Sequence, residues 1–262
     1  MNILFIGDIV GKVGRKALSK NLSFLIDKYD IDFTICNGEN ISNGRGINLN
    51  HYNFLSNLDI NCITLGNHYH DKIDELKLFV DNENIVRPLN LSDKIDLKGE
   101  GSREYDVNGC RIRVTNVLGS VFMKEQVVTP YYAISELLVN DNSDIHIIDF
   151  HAEANGEKQC IAHAFKGEVS AIIGTHTHVQ TRDAQILDGK TFFISDVGMC
   201  GANNGVLGYE SESVIDRQIF SRNIPMRLLD DAPSVFSAVV MVFDDLTYKP
   251  VKIIPIYIEE HK

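Results

Sequence analysis

The sequence predicts an α/β sandwich formed by one domain, residues 1–262, with strands that are parallel at first and antiparallel later. Over the first 81 residues, short apolar runs alternate with segments of helical periodicity, which is typical of parallel strands joined by helices. In the later part, Asn108-Gly109 and Asp188-Gly189 each stand between alternating runs, which indicates antiparallel hairpins. The length, with 44% apolar residues, is sufficient for a large core.

Each element follows from the spacing of its apolar residues. The first apolar run is short and unbroken, as in a buried strand, and Leu18, Leu22 and Leu25 then recur at helical spacing. Asn48 or Asn50 is expected to cap the second helix. The predicted elements, in chain order, are strand 3–6, helix 12–29, strand 33–36, helix 48–57, strand 62–66, helix 71–81, helix 131–139, strand 145–150, helix 156–166, strand 171–174, and the long strands 235–243 and 251–258.

The composition narrows the class of protein. A net charge of −11 argues against an extended nucleic-acid groove or an anionic membrane as the main partner, although a bound metal can still attract a small anionic substrate. The N-terminus lacks a basic segment, and no apolar run approaches the roughly 18 residues of a membrane span. The five cysteines are scattered and form no CxxC pair. We therefore expect a cytoplasmic protein with reduced thiols.

Polar side chains follow five of the predicted strands, at the carboxyl ends where α/β sheets carry their sites. They comprise carboxylates, amides and imidazoles, a mixed set that suits manganese, iron, zinc or a similar divalent ion and lacks the thiolates of a structural zinc site. The set exceeds what one ion needs, so two ions about 3.5–4 Å apart are expected. The residues are Asp8, Glu39, Asn40, Asn67, His68, His151, His176 and His178.

The segment IIGTHTHVQ, residues 172–180, illustrates the pattern. His176 and His178 stand two positions apart after an apolar run, so in an extended segment their rings point to the same face. Glu39 can bridge two ions, and a hydroxide that bridges the same ions would be the nucleophile for in-line attack on phosphorus. The glycines that precede these clusters allow sharp turns and a close approach of the ligand.

Each of these residues has an ordinary structural explanation when it is considered alone. An aspartate after a first strand commonly caps a helix, and a single histidine is more often a surface or core residue than a ligand. The metal interpretation therefore rests on the combination. Two glycine-rich segments carry less weight: GDIVGKVG lacks the G-x-G-x-x-G spacing, and SNGRGIN lacks the Lys-Ser/Thr ending of a P-loop, although its Arg45 could still contact a phosphate.

The ordered motifs resemble those of the calcineurin-like metallophosphoesterase superfamily, whose usual blocks are D-x-H, G-D-x-x-D, G-N-H-E/D, a single histidine and G-H-x-H. The corresponding segments here are GDIV, GEN, GNHYHD, FHAE and GTHTHV. Val10 stands in place of the first histidine, and Glu39 in place of the bridging aspartate. With NGENISNGRGI and SDVGMCGANNGVLG, the chain is similar over nearly its whole length to the YmdB family of bacterial phosphodiesterases.

The resemblance implies a four-layer α/β sandwich, in which two mixed sheets are flanked by helices. It also implies a centre of two divalent transition-metal ions, with iron or manganese favoured. One ion would be held by Asp8, Glu39, Asn40 and His178, and the other by Glu39, Asn67, His151 and His176.

The resemblance further implies hydrolysis of a small-molecule substrate, a cyclic nucleotide, with 2′,3′-cyclic AMP favoured. His68 would be the general acid that protonates the leaving oxygen or stabilises the transition state. A link to RNA turnover and gene regulation is also implied. Tyr69 and His70 depart from the residues expected after GNH, and this departure concerns the wall of the pocket and not the metal ligands.

Two other functions stay open at this point. The same metal core serves phosphomonoesterases and nucleases that act on RNA ends, and only the walls of the pocket separate them. Residues 199–214 are expected to form such a wall or an oligomer contact. A regulatory protein that binds a nucleotide or a protein partner with little turnover is the second alternative, which the complete ligand set disfavours. The long C-terminal strands leave an edge that permits a homo-oligomer.

Overall fold

The computed structural model describes residues 1–72, 82, 84–92 and 98–260. Its strands are rich in Ile, Val and Phe, whose branched or aromatic side chains favour a pleated sheet. The helices are α1 (Gly11–Tyr29), α2 (Leu49–Ser56), α3 (Pro130–Leu138), α4 (Asn155–Phe165) and α5 (Ser211–Gln218). The strands are β1 (Asn2–Ile6), β2 (Asp8–Ile9), β3 (Phe33–Asn37), β4 (Cys62–Thr64), β5 (Ile85–Val86), β6 (Ser102–Val107), β7 (Cys110–Leu118), β8 (Ile145–His151), β9 (Ala171–Thr175), β10 (Gln185–Leu187), β11 (Thr191–Ile194), β12 (Met199–Ala202), β13 (Ser234–Phe243) and β14 (Pro250–Glu259).

The described strands form two mixed sheets. The larger sheet has the order β2-β12-β13-β1-β3-β4-β5. The strand β14 belongs to the same sheet and pairs with β13 from Val235 to Phe243. Its members β1, β3, β4 and β5 are parallel, whereas β13 runs antiparallel to β1, β12 and β14. The smaller sheet has the order β10-β11-β9-β8-β7-β6, with a parallel centre and an antiparallel hairpin at each edge.

Four layers result because both faces of each sheet are apolar. Along β1, Leu4 lies in a cluster with residues of α1 and α2, whereas the adjacent Ile3 lies in the cluster between the two sheets. Along β8, Ile147 belongs to that central cluster, and the adjacent Ile148 packs with residues of α3 and α4. Successive strand residues point to opposite faces, so a continuous apolar run builds two cores at once.

The predicted fold class is confirmed, and most predicted elements lie within a few residues of their expected positions. Asn48 is the residue that caps α2, because its side chain accepts a hydrogen bond from His51 N at 2.9 Å. The second half is less antiparallel than expected, since α3 and α4 connect β7, β8 and β9 as parallel neighbours. The short elements α5, β2, β5 and β12 are absent from the prediction. Predicted helix 71–81 lies outside the described residues apart from its first two positions.

The topology brings the carboxyl ends of the parallel strands to one edge shared by both sheets. Asn37, the last residue of β3, donates its Nδ2 to Asp149 Oδ2 on β8 at 3.1 Å, which joins the two sheets at this edge. The polar residues predicted at the strand ends therefore face each other across the sandwich.

Among the described residues, no helix combines the length and apolar character that crossing a bilayer requires.

Candidate metal centre

Side chains from four different strand ends meet at the Nε2 atom of His151. This atom lies 3.0 Å from each of three others, namely Glu39 Oε1, Asn67 Oδ1 and His176 Nδ1. Glu39 and Asn67 follow β3 and β4, and His176 follows β9. The structure thus brings together four positions that the sequence analysis selected as ligands.

The other three predicted ligands lie beside this group. Asp8 Oδ2 accepts a hydrogen bond from His176 N at 3.2 Å, and Asp8 Oδ1 lies 3.9 Å from His178 Nε2. Asn40 donates its Nδ2 to Glu39 Oε1 at 2.8 Å. All seven predicted ligands therefore form one continuous cluster.

The cluster contains more acceptor atoms than the protein donors around it can satisfy. The ligand atoms of Glu39, His151 and His176 all lie within 4.8 Å of one another. His151 Nε2 can carry only one proton, so it cannot donate a full hydrogen bond to each of its three neighbours at once. Asp8 Oδ1 and His178 Nδ1 are buried and have no hydrogen-bond partner within the described ranges. Buried acceptors in this situation are costly unless a cation satisfies them. The residues therefore fit divalent metal ions that accept imidazole and oxygen donors.

Burial and charge set the protonation of the cluster. Burial raises the pKa of Asp8 well above its ordinary value. Burial would also raise the pKa of Glu39, but the charge of His151 and its hydrogen bond outweigh that effect and hold the pKa below its usual range. Burial would lower the pKa of His151, yet Glu39 raises it to about 9. Burial and the nearby charge of His151 lower the pKa of His176 to about 3, so this ring is neutral at pH 7 and offers a lone pair.

A chain of hydrogen bonds fixes the ring of His151 from behind. Thr175 Oγ1 donates to Asp149 Oδ1 at 2.6 Å, so the same hydroxyl oxygen accepts from His151 Nδ1 at 2.9 Å. Asn37 supplies a hydrogen bond to the other oxygen of Asp149. Because Nδ1 is engaged in this way, Nε2 is the nitrogen that faces the cluster, as in metal sites where a second partner orients the ligand.

The loop that carries the last two histidines is held by a buried ion pair. His176 and His178 have φ angles of 97° and 66°, in the left-handed region that few non-glycine residues adopt. Lys158 Nζ donates to the carbonyl oxygen immediately before His176 at 2.8 Å and to Asp196 Oδ2 at 2.9 Å. Asp196 Oδ2 also accepts a hydrogen bond from the backbone N–H of Thr177, which lies between the two histidines, at 2.9 Å. Lys158 and Asp196 are both fully buried, so the pair constrains the loop without competition from water.

The residues that support the predicted ligands are absent from the prediction. Asp196 comes shortly after β11, which is another strand-end position, so the rule that found the ligands would also have found it. Asp149 lies inside an apolar strand, and Thr175 is the last residue of another, so both look like ordinary interruptions of the pattern. Lys158 lies on a helix, where lysine is normally exposed, and the sequence carries no signal that it is buried.

The cluster opens into a cleft of about 300 Å³ that His68 and Arg45 also line. His68 donates its backbone N–H to Glu39 Oε2 at 2.9 Å, and its Nδ1 lies 2.8 Å from Asp71 Oδ2. Arg45 is largely exposed, and its Nη1 lies 3.8 Å from the same oxygen of Asp71. The residue predicted as general acid therefore shares one cavity with four of the predicted ligands, Glu39, Asn40, His176 and His178.

A glycine before Asn67 permits Glu39 and His151 to approach each other. A Cβ atom at Gly66 would lie 2.4 Å from Glu39 Oε2 and 2.4 Å from His151 Nε2, closer than any ordinary contact. Only glycine fits between the carboxylate and the imidazole. The Gly in the GNH motif is thus explained by space and not by an unusual backbone angle.

Comparisons with known proteins show what the chain is similar to. A family model described as YmdB-like protein matches residues 4–256. The 2′,3′-cyclic-nucleotide 2′-phosphodiesterase of Bacillus subtilis (strain 168) is 38% identical over 263 residues, which represent 99% of this chain and 98% of the relative.

Two solved structures extend the comparison. A novel phosphatase from Mycoplasma pneumoniae superposes with a TM-score of 0.95 at 36% identity, covering 99% of this chain and 94% of that one. The NAD nucleotidase of Haemophilus influenzae has a TM-score of 0.56 at 14% identity, covering 99% of this chain and 56% of that one. The second likeness concerns the fold alone.

The Lys158–Asp196 pair leads to a stability prediction. Lys158→Met leaves a buried carboxylate without its partner, so we expect a loss of about 3–5 kcal/mol in the free energy of unfolding, measured by denaturant titration. The matched control is Lys166→Met at the end of the same helix, where the partner Asp188 is mostly exposed. No resolvable change is expected there, because solvent screens such a pair. Equal stability of Lys158→Met and the unchanged protein would contradict the role given to the pair.

Proposed function

Because the chain belongs to the YmdB-like protein family, we propose that it is a metal-dependent phosphodiesterase of the cytoplasm that hydrolyses cyclic nucleotides, with 2′,3′-cyclic AMP favoured. The observation that carries this proposal is the convergence of seven metal-ligand candidates in one cluster. Four of them, Glu39, Asn40, His176 and His178, line a cleft of about 300 Å³ together with His68. Similarity over nearly the full length to a bacterial 2′,3′-cyclic-nucleotide 2′-phosphodiesterase supports the choice of substrate.

The cluster divides into two sets of ligands that share Glu39. Two ions, with iron or manganese favoured, are proposed because imidazole, amide and carboxylate donors suit them and thiolates are absent from the set. When bound, such ions lower the pKa of a coordinated water and offset negative charge on phosphoryl oxygens. The first set comprises Asp8, Glu39, Asn40 and His178, and the second comprises Glu39, Asn67, His151 and His176.

His68 is proposed to supply the proton that the leaving oxygen needs. Its Nδ1 is occupied by Asp71, and its backbone N–H by Glu39, so the ring is fixed and Nε2 is the nitrogen available for substrate. In the proposed reaction water adds to phosphorus and the P–O2′ bond breaks. The O2′ oxygen takes a proton from His68, the proton released by the attacking water restores His68, and the product is a nucleoside 3′-phosphate. Arg45 is exposed at the cleft and could neutralise part of the phosphate charge.

A phosphomonoesterase activity is the second candidate, and one comparison favours it. The structurally similar Mycoplasma pneumoniae protein is described as a phosphatase. Mono- and diesters need the same attack on phosphorus, so the ligand cluster alone does not separate them. A monoester is smaller and more highly charged, and it makes less use of the apolar part of the cleft.

The test of the proposed function is steady-state hydrolysis of 2′,3′-cyclic AMP by the metal-loaded protein, compared with p-nitrophenyl phosphate. His68→Ala is expected to lower kcat by about 10²–10⁴-fold while the metal content stays the same, since loss of a general acid has this magnitude. His70→Ala is the matched control. Its ring is half exposed and, contrary to the sequence-based expectation, is not among the residues that line the cleft, so this variant is expected to retain normal turnover.

The outcomes separate the alternatives. Turnover of the cyclic nucleotide that depends on His68 supports the phosphodiesterase. Turnover of the monoester alone favours the phosphatase, and two bound metals without turnover of either substrate favour a regulatory binding role. Full activity of His68→Ala with normal metal content would exclude His68 as the general acid.

A second prediction concerns metal binding itself. Gly66→Ala places a methyl group against Glu39 and His151, so we expect metal affinity to fall on the order of 10–100-fold, as in other disturbances of ligand orientation. Gly156→Ala on α4 is the control, since a Cβ there meets nothing within 4 Å. Metal content after dialysis, measured by mass spectrometry, checks both variants. Unchanged metal binding by Gly66→Ala would show that the ions lie elsewhere.

A further inference from the structure

The cleft beside the ligand cluster has two chemically different walls. One wall carries four of the seven proposed metal ligands. Its residues are Glu39, Asn40, His176 and His178, together with His68, Arg45, Thr177 and Glu153. The opposite wall comes from the segment between β12 and β13, which contains α5, and it is mainly apolar. The residues of that wall are Val206, Leu207, Tyr209, Val214, Gln218 and Met226.

We propose that this second wall is the subsite for the nucleobase of a mononucleotide, an inference that rests on the proposed function. A nucleoside cyclic phosphate has the same division, with an anionic phosphate at one end and a flat, weakly polar base at the other. Val206 is 39% and Leu207 42% exposed, so apolar surface lies uncovered next to a strongly polar centre. A base that stacks on this surface removes it from water while the phosphate reaches the ligands.

The tip of the wall is a tight turn in an unusual conformation. Val206 and Tyr209 exchange backbone hydrogen bonds of 2.9 and 3.0 Å, and the two residues between them, Leu207 and Gly208, have φ angles of 51° and 89°. Two consecutive positive φ angles are typical of a type I′ turn, in which Asn and Gly are the favoured residues. A leucine in the left-handed region is disfavoured, and its exposed side chain gains little from the core. Such strain at the mouth of a site indicates a residue placed for a ligand.

The turn is held in place by its neighbours and is therefore suited to recognition. Leu229 N donates to Gly208 O at 3.0 Å, and Glu210 N donates to Arg227 O at 2.8 Å. These two hydrogen bonds hold the turn against residues 227–229 of the same segment. Tyr209 connects it to the opposite loop, since a Cβ on Gly44 would lie 2.6 Å from the tyrosine hydroxyl oxygen. The two walls thus pack on each other at one end of the cleft, beside Arg45.

The size of the cleft favours a mononucleotide over a longer chain. A volume of about 300 Å³ lies at the lower end of the range for small-molecule sites and suits one base, one ribose and one phosphate. The net charge of −11 also disfavours a groove for extended RNA, which needs many cations along its path. The structure therefore assigns the apolar wall to one base rather than to a run of nucleotides.

The first experiment compares two cyclic substrates with the metal-loaded full chain. One is 2′,3′-cyclic AMP, and the other is 1-O-methylribose 2′,3′-cyclic phosphate, which has the reacting group but no base. Leu207→Asn keeps the left-handed backbone and removes the apolar contact, so we expect it to lower the ratio of kcat/KM for the two substrates about tenfold, mainly through KM for the nucleotide. Leu246→Asn, at a turn position that is 90% exposed between β13 and β14, is the matched control and should keep the ratio.

An equal loss on both substrates, or an unchanged ratio in Leu207→Asn, would overturn the subsite. A binding measurement keeps this inference separate from the proposed function. The chain has no tryptophan, so the fluorescence of 2-aminopurine riboside 3′-monophosphate can be followed without background from that residue. A rise in fluorescence anisotropy on binding, with a Kd that Leu207→Asn raises about tenfold, supports the subsite even when no cyclic nucleotide is hydrolysed. A Kd that Leu207→Asn leaves unchanged, or no binding by the unchanged protein, refutes it.

Discussion

The contact between Glu39 and His151 is the constraint on which the rest of the structure depends. A carboxylate and an imidazole lie 3.0 Å apart, both almost completely buried, at the edge where two sheets meet. Removing such groups from water is expensive, so each needs partners with suitable geometry. Glu39 is contacted by Asn40 and by the backbone of His68, and His151 is contacted from both of its nitrogens. The strands β3, β4, β8 and β9 must therefore end beside this pair, so that the residues at their ends can supply these partners.

The fold meets this demand with a second layer of buried polar groups behind the first. Asp149 lies within an otherwise apolar strand and yet serves both sheets, because one oxygen accepts from Thr175 and the other from Asn37. Asp196 plays a similar part for the loop with the two left-handed histidines, where Lys158 compensates its charge. Neither carboxylate lines the cleft. Asp149 fixes the position of the buried His151 through Thr175, and Asp196 fixes the loop whose two histidines line the cleft. This arrangement preorganises the predicted ligands before any substrate binds.

The sequence predicts features that depend on local spacing better than features that depend on partners far away along the chain. Strands, the capping residue Asn48 and the polar residues at strand ends depend on local spacing, and the structure has them at or near the predicted positions. The metal-binding roles and that of His68 stay predictions. Lys158 was missed because its burial depends on a partner 38 positions away. Helix α5 was missed because its eight residues, SESVIDRQ, contain too few apolar positions to show a helical period.

The proposed reaction and the proposed recognition of the substrate depend on different parts of this molecule. The ligand candidates lie at the ends of strands whose opposite faces build two cores, so a change there disturbs the sandwich itself. The apolar wall of the cleft belongs instead to one segment between β12 and β13, closed largely by hydrogen bonds within that segment. Such a segment can change its surface residues without moving His151 or Glu39. Selection among phosphate esters can therefore vary on a fixed metal-binding core, which is how one fold can serve enzymes described both as phosphatases and as phosphodiesterases.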